Sequence, residues 1–293
     1  MMDANITLND GRKIPRLGLG VWRIPNGDKC ETAILTALEA GYRHIDTASM
    51  YGNEESVGAA VRASGIPREE IFVTTKLWNS DHGNPERALE TSLRKLKLDY
   101  VDLYLIHYPV RERLNSWRAL EEMKRQGKAL SIGVSNFTVR HLTELLTRTE
   151  TVPAINQVEC HPYLDQRELR EFCTARGIVV EAYCPLTQGE RLNDRKLLAI
   201  AKKYPRPSTP PAGRQTALSF LRGASAAETR SAAQILIRWA IQHNLVVIPK
   251  SANPDRISEN AQVFDFEITA EDMRTLDSFN ENLHTSWDPT HAP

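Results

Sequence analysis

The sequence predicts an α/β fold: a (β/α)8 or TIM barrel, preceded by a small β-hairpin and followed by a C-terminal tail near the active-site mouth. Three observations predict it. Eight short runs are nearly continuous in apolarity, as strands buried on both faces are. Amphipathic stretches of helical period separate them. Polar residues stand at the C-terminal ends of several runs, one strand-helix unit apart.

The elements follow in order. Residues 6–16 read as a hairpin, with Leu8-Asn9-Asp10-Gly11 supplying the turn. The apolar runs are Leu17–Leu19, His44–Asp46, Ile71–Leu77, Val101–His107, Leu130–Val134, Ala154–Val158, Ile178–Tyr183 and Leu245–Pro249. Helical patterns include Lys29–Ala40, Glu54–Ser64 and Pro85–Leu96. The last carries Asn84 as N-cap and Pro85 at the first helical position. An open doubly wound sheet is the alternative architecture, but Gly18-Leu19-Gly20-Val21-Trp22-Arg23 lacks the third glycine of its usual fingerprint.

One stretch breaks the rhythm. Tyr204–Arg230 is rich in Pro, Ala, Ser and Arg and separates the helical patterns Asp194–Lys203 and Ser231–His243. Its composition suggests an exposed, mobile excursion, and its place between two helices sets it on the outer layer, because a barrel's active mouth is built from loops after strands. Ala217–Leu221 suits one helical turn. The tail Asn282–Pro293 contains Trp287-Asp288-Pro289 and reads either as a cover over the mouth or as disorder.

Composition sets bounds. A chain of 293 residues can form one barrel domain spanning 1–293 and bury a core without disulfide or metal. Lys plus Arg equals Asp plus Glu, at 37 each, which argues against nucleic acid or an anionic membrane as partner. No apolar run reaches membrane-spanning length, and the polar N-terminus lacks a signal core. Cys30, Cys160, Cys173 and Cys184 show no C-x-x-C spacing, so no zinc or redox motif is expected. The expectation is a cytoplasmic monomer with reduced thiols and no metal site.

Asp46, Lys76 and His107 fall at or near the ends of the second, third and fourth runs. In a barrel they become neighbours on one rim, and Tyr51, five residues past Asp46, can fold over the same mouth. A tyrosine hydroxyl is a weak acid near neutrality, and a nearby ammonium should lower its pKa. Asp46 can pair with Lys76 and hold it. His107 can hydrogen-bond and orient a carbonyl oxygen. The quartet therefore suits proton donation to an oxygen gaining charge as hydride attacks a carbonyl. Each residue alone is more often an ordinary ion pair or packed ring. The joint spacing carries the reading.

Gly41-Tyr42-Arg43-His44-Ile45-Asp46-Thr47-Ala48 with Tyr51-Gly52-Asn53-Glu54 resembles the signature of the aldo-keto reductase superfamily. So do Thr75-Lys76-Leu77-Trp78, Asp102-Leu103-Tyr104-Leu105-Ile106-His107, Gly133-Val134-Ser135-Asn136-Phe137, Asn156-Gln157 and Ile248-Pro249-Lys250-Ser251. The matches run in order through nearly the whole chain, and the nearest likeness is to short-loop bacterial and protozoan members of the diketogluconate reductase and prostaglandin F synthase types. The resemblance implies NADPH-dependent reduction of aldehydes and ketones, with Tyr51 as proton donor and Asp46, Lys76 and His107 completing the tetrad. It implies that Ser135, Asn136 and Gln157 bind the nicotinamide carboxamide and that Tyr183 stacks on the ring. It also implies contacts from Cys184 and Leu186 along the cofactor, and from Lys250, Ser251, Arg256, Glu259 and Asn260 at its adenosine end. Lys250, Arg256 and Ser251 would suit the 2′-phosphate of NADP.

The chain departs from the pattern in places. Cys184 stands where the family commonly has Ser, so the resemblance implies a weaker pyrophosphate contact at this position. Tyr108 replaces a common Trp after His107, and the 204–230 segment is an insertion. Trp22, Trp78, Tyr108 and Phe137 follow predicted strands and could line the substrate pocket. The partner expected is a small carbonyl compound. Two other classes were open to this sequence: a non-catalytic NADPH-binding subunit, disfavoured by the intact tetrad, and a barrel aldolase or isomerase using Lys76 as a Schiff-base nucleophile, disfavoured by Asp46.

Overall fold

A computed structural model describes residues 4–206 and 229–293. It opens with a hairpin of β1 (Asn5–Thr7) and β2 (Lys13–Pro15), paired antiparallel. Leu8 and Gly11 close its turn, the Gly11 N–H donating to the Leu8 carbonyl at 3.0 Å. Gly11 has φ +85°, a left-handed conformation that costs glycine little.

Eight parallel strands follow: β3 (Leu19–Gly20), β4 (His44–Asp46), β5 (Phe72–Leu77), β6 (Val101–Ile106), β7 (Ala129–Ser135), β8 (Ile155–Glu159), β9 (Val179–Tyr183) and β10 (Val246–Val247). Each pairs with the next in chain order. Parallel bridges Leu17–Val247 and Gly20–Lys250 join the two ends of the sheet, so it curls into a barrel. All eight predicted runs coincide with these strands to within about two residues at either end.

The helices are α1 (Asp28–Glu39), α2 (Glu54–Ala63), α3 (Pro85–Leu96), α4 (Arg113–Arg125), α5 (Val139–Arg148), α6 (Arg167–Thr174), α7 (Arg195–Ala201), α8 (Ala232–Gln242), α9 (Pro254–Asn260) and α10 (Ala270–Asp277). Local chemistry sets their starts. Asn84 Oδ1 accepts the Arg87 N–H at 3.1 Å ahead of α3, and Ser231 with Gln234 forms a capping box on α8. Gly58 on α2 lets that helix lie against the end of α3. A Cβ there would meet the Leu96 carbonyl oxygen at 1.8 Å.

Two buried clusters hold the molecule together. The larger lies chiefly between the strands and the surrounding helices, with Trp117 and Trp239 among its fully buried members. In the smaller, Ile6, Leu8 and Ile14 of the hairpin pack on Phe72, Leu103, Leu105, Ile155 and Val246. Phe72, Ile155 and Val246 begin their strands, so the hairpin plugs the N-terminal end of the barrel. The opposite end is left for a site.

The exposure expected over 204–230 does not hold at its two ends. Tyr204 and Arg230 are buried, Pro205 bridges Thr229, and Tyr204 Oη donates to Asp272 at 2.7 Å. These residues belong to the packed layer, because their polar groups find partners on α10 and its approach. The expected mobility and the Ala217–Leu221 turn concern residues 207–228, which lie outside those described.

Candidate active site

The C-terminal ends of β4, β5 and β6 bring Asp46, Lys76 and His107 together, as the spacing predicted. Lys76 is fully buried. Its Nζ donates to both Asp46 oxygens, at 2.7 and 2.8 Å, and to the Thr47 carbonyl at 2.8 Å. All three ammonium protons are thereby used. Gln157 Nε2 donates to Asp46 Oδ2 at 2.8 Å from the far side of the barrel.

Tyr51 arrives on a short helical turn, Ser49–Tyr51. Buried Asn53 fixes that loop: its Oδ1 accepts from Thr47 Oγ1 at 2.7 Å, and its Nδ2 donates to the Val21 and Ile24 carbonyls. Glu54 Oε1 accepts from Thr75 Oγ1 at 2.7 Å and ties the next helix to β5. The Tyr51 ring centroid lies 5.1 Å from Lys76 Nζ and 5.8 Å from the His107 ring. The tetrad is therefore one cluster.

Its electrostatics correct one expectation. Burial, reinforced by Asp46 and the neighbouring Tyr108, Tyr183 and Cys184, pushes the Tyr51 hydroxyl well above its ordinary pKa instead of lowering it. The reason is visible in the geometry, since Asp46 compensates the Lys76 charge. Tyr51 is thus held as a phenol with a proton to give. Burial and Lys76 push His107 well below its ordinary value, so its imidazole is neutral. A neutral ring has one N–H to offer an oxygen and no positive charge.

A small cavity of about 50 Å³ opens on Trp22, Tyr51, His107, Tyr108, Asn136 and Ser286. Trp22 and Tyr108 are at the mouth as predicted. Trp78 stands behind them, edge-on to His107 at 5.3 Å and to Tyr108 at 5.7 Å. Phe137 is not brought to the mouth: it is fully buried and packs edge-on against His141. The tail crosses the opening. Glu159 accepts from Thr285 and Ser286 N–H at 2.8 and 3.0 Å, and Arg113 Nη1 donates to the Pro293 carbonyl at 2.9 Å. Of the two readings open for the tail, the structure shows the cover.

Ser135, Asn136, Gln157 and Tyr183 lie together beside the tetrad. Tyr183 Oη donates to Asn136 Oδ1 at 2.8 Å, and Asn136 Nδ2 donates to the His107 carbonyl at 2.9 Å. Ser135 Oγ donates to the Gln157 carbonyl at 2.8 Å. Asn136 and Cys184 both take positive φ, at 64° and 47°, which turns the chain sharply at the ends of β7 and β9.

From there a long cavity of about 1140 Å³ runs outward past Cys184, Leu186, Lys250, Ser251 and Asn260 to Arg256 and Glu259. Sequence reasoning missed Arg23 and Lys29, which also line it. Burial chiefly, with Lys29 and Arg23 nearby adding to it, pushes the Lys250 pKa down. A volume of this size beside clustered cations is large enough to hold a dinucleotide. Thr229 and Arg230 line the same cavity, and Arg206 Nη2 donates to Glu259 Oε1 at 2.8 Å. The described feet of the insertion therefore border this cavity's outer end and are not remote from it.

The comparisons with known proteins agree with the fold. The model of the aldo/keto reductase family matches residues 16–281. The chain is 45% identical over 290 residues to the 9,11-endoperoxide prostaglandin H2 reductase of Trypanosoma cruzi, covering 97% of this chain and 94% of that protein. It is 43% identical over 287 residues to glyoxal reductase of Bacillus subtilis, covering 97% and 95%. A crystal structure of an aldo/keto reductase from Brucella melitensis superposes with a TM-score of 0.83 at 43% identity, over 96% of this chain and 100% of that one. No helix among the described residues is long and apolar enough to cross a membrane.

Proposed function

The chain belongs to the aldo/keto reductase family, and from that premise we propose that it reduces small aldehydes and ketones with NADPH, Tyr51 giving the proton. The observation that carries this reading is the Tyr51 phenol beside a buried, fully paired Lys76, at the junction of the small cavity and the long one.

A reduced nicotinamide held by Ser135, Asn136, Gln157 and Tyr183 would supply hydride for the carbonyl carbon. The remaining work belongs to the chain. His107, neutral and facing the small cavity, hydrogen-bonds the carbonyl oxygen and orients it. Tyr51 donates its hydroxyl proton to that oxygen as it gains charge, leaving an alcohol and a phenolate. Lys76 stabilises the phenolate from below, and Asp46 keeps the ammonium in place. Trp22, Tyr108 and the tail exclude bulk water. The same pairing of Lys76 leaves it no free lone pair for Schiff-base chemistry.

Lys250, Ser251 and Arg256 support a preference for the 2′-phosphorylated cofactor. Glu259 and Asn260 lie at the adenosine end, Cys184 and Leu186 along the middle, and Ser135, Asn136, Gln157 and Tyr183 at the nicotinamide end. The small cavity and the glyoxal reductase relative favour compact carbonyl compounds such as glyoxal. The test mixes the protein with glyoxal or an aromatic aldehyde and follows loss of NADPH absorbance. No turnover with any carbonyl would overturn the reading.

A further inference from the structure

A second buried carboxyl group lies within the barrel beneath the tetrad. Glu181 sits in the middle of β9, fully buried, in register with Gln157 of β8 and Val246 of β10. Neither of its carboxyl oxygens makes a well-formed hydrogen bond, the Gln157 amide being the donor beside it, and Oε1 lies 3.6 Å from His44 Nε2. The titratable groups facing it are His44 and Asp46 of β4 and Lys76 of β5; β8 offers the Gln157 amide and β10 only valines.

The charges can be counted. Lys76 is the one cation in this group, and its three protons are committed to Asp46 and Thr47. Gln157 also gives its amide to Asp46. Burial and Lys76 keep His44 neutral, pushing its pKa to about 3. An ionised Glu181 would therefore be a buried charge with no cation of its own, which is costly. It would also compete with Asp46 for Lys76.

We propose that Glu181 is a positioning residue that holds one proton inside the barrel, and that its neutrality leaves the Lys76 ammonium wholly paired with Asp46 beneath Tyr51. The proposal rests on the reductase reading for its kinetic consequence and on the geometry alone for the proton. Burial, with Asp46 close by, raises the Glu181 pKa to about 8. As pH rises through that value, the proton leaves to solvent and a negative charge appears near Lys76. The ammonium then stabilises the Tyr51 phenolate less, and reduction slows.

The experiment measures kcat/KM for glyoxal reduction across pH in the natural chain and in Glu181→Gln, which copies the neutral acid's shape. The natural chain is expected to lose about 3-fold or more as pH rises through about 8, and the variant to lose that limb. Identical profiles would overturn the proposal. A second measurement needs no variant and no turnover: the infrared carbonyl band of a protonated carboxyl group in protein carrying carbon-13 glutamate carboxyls. An isotope-shifted band present at neutral pH and lost through about 8 supports the assignment. Its absence at neutral pH overturns it. A chain that oxidises no NADPH with any carbonyl would sink the reductase reading instead, and the infrared band would still decide Glu181.

Discussion

The indole of Trp287 stands edge-on to the ring of Tyr108, with centroids 4.9 Å apart. Tyr108 in turn stacks on His107 at 4.8 Å. The tail is thereby coupled to His107, the group proposed to orient the substrate oxygen. Edge-to-face pairs are worth about 0.5–1.5 kcal/mol. Trp287→Ala should lower kcat/KM for an aromatic aldehyde by up to about 10-fold. Nucleotide affinity should stay near its natural value. Steady-state kinetics with titration of nucleotide checks both, and an unchanged kcat/KM would show that the tail only decorates the mouth.

The Asp46–Lys76 pair joins stability to chemistry. Lys76→Met leaves Asp46 buried without its cation and should cost about 3 kcal/mol or more in denaturant unfolding. Adding Asp46→Asn removes the stranded charge and should return most of that loss. Neither variant should recover turnover, because no ammonium remains under Tyr51. A double variant as unstable as the single one would mean the destabilisation comes from packing.

Arg256 tests the outer end of the long cavity. Removing one charge-assisted contact costs about 1.5–3 kcal/mol. Arg256→Ala should therefore weaken NADPH binding by about 10-fold or more while scarcely changing NADH binding. Equal losses for the two nucleotides would remove Arg256 from the 2′-phosphate site.

Gly58 tests the helical layer far from any chemistry. A methyl group there would overlap the Leu96 carbonyl, which also accepts from Arg62 Nη1 at 2.6 Å. Neither helix can yield without breaking that contact. Gly58→Ala should destabilise the fold by about 1–3 kcal/mol, read as a lower midpoint in thermal unfolding. A midpoint at or above the natural one would show that α2 and α3 part easily.

The architecture was legible because strands covered on both faces announce themselves as short apolar runs, and the tetrad because three polar residues interrupt such runs at matching ends. What escaped depends on partners that a linear sequence does not display. Tyr51 was expected to be acidified by Lys76, but every Lys76 proton proves to be committed. Phe137 follows a strand as Trp22 does, yet it turns into the helical layer and meets His141. Arg23 reaches the long cavity from the loop after β3, which turns sharply there with φ 59°, and Lys29 reaches it from α1. Glu181 carried a signal that went unread: a glutamate inside the apolar run Ile178–Tyr183 is costly unless something in the barrel accommodates it.

The central claim is that Tyr51 supplies the proton, and the most direct test is Tyr51→Phe. Phenylalanine keeps the ring over Lys76 and removes only the hydroxyl. Carbonyl reduction followed by NADPH absorbance should fall by about 10²-fold or more, with nucleotide affinity in the same variant almost unchanged. Near-normal turnover in Tyr51→Phe would contradict the account.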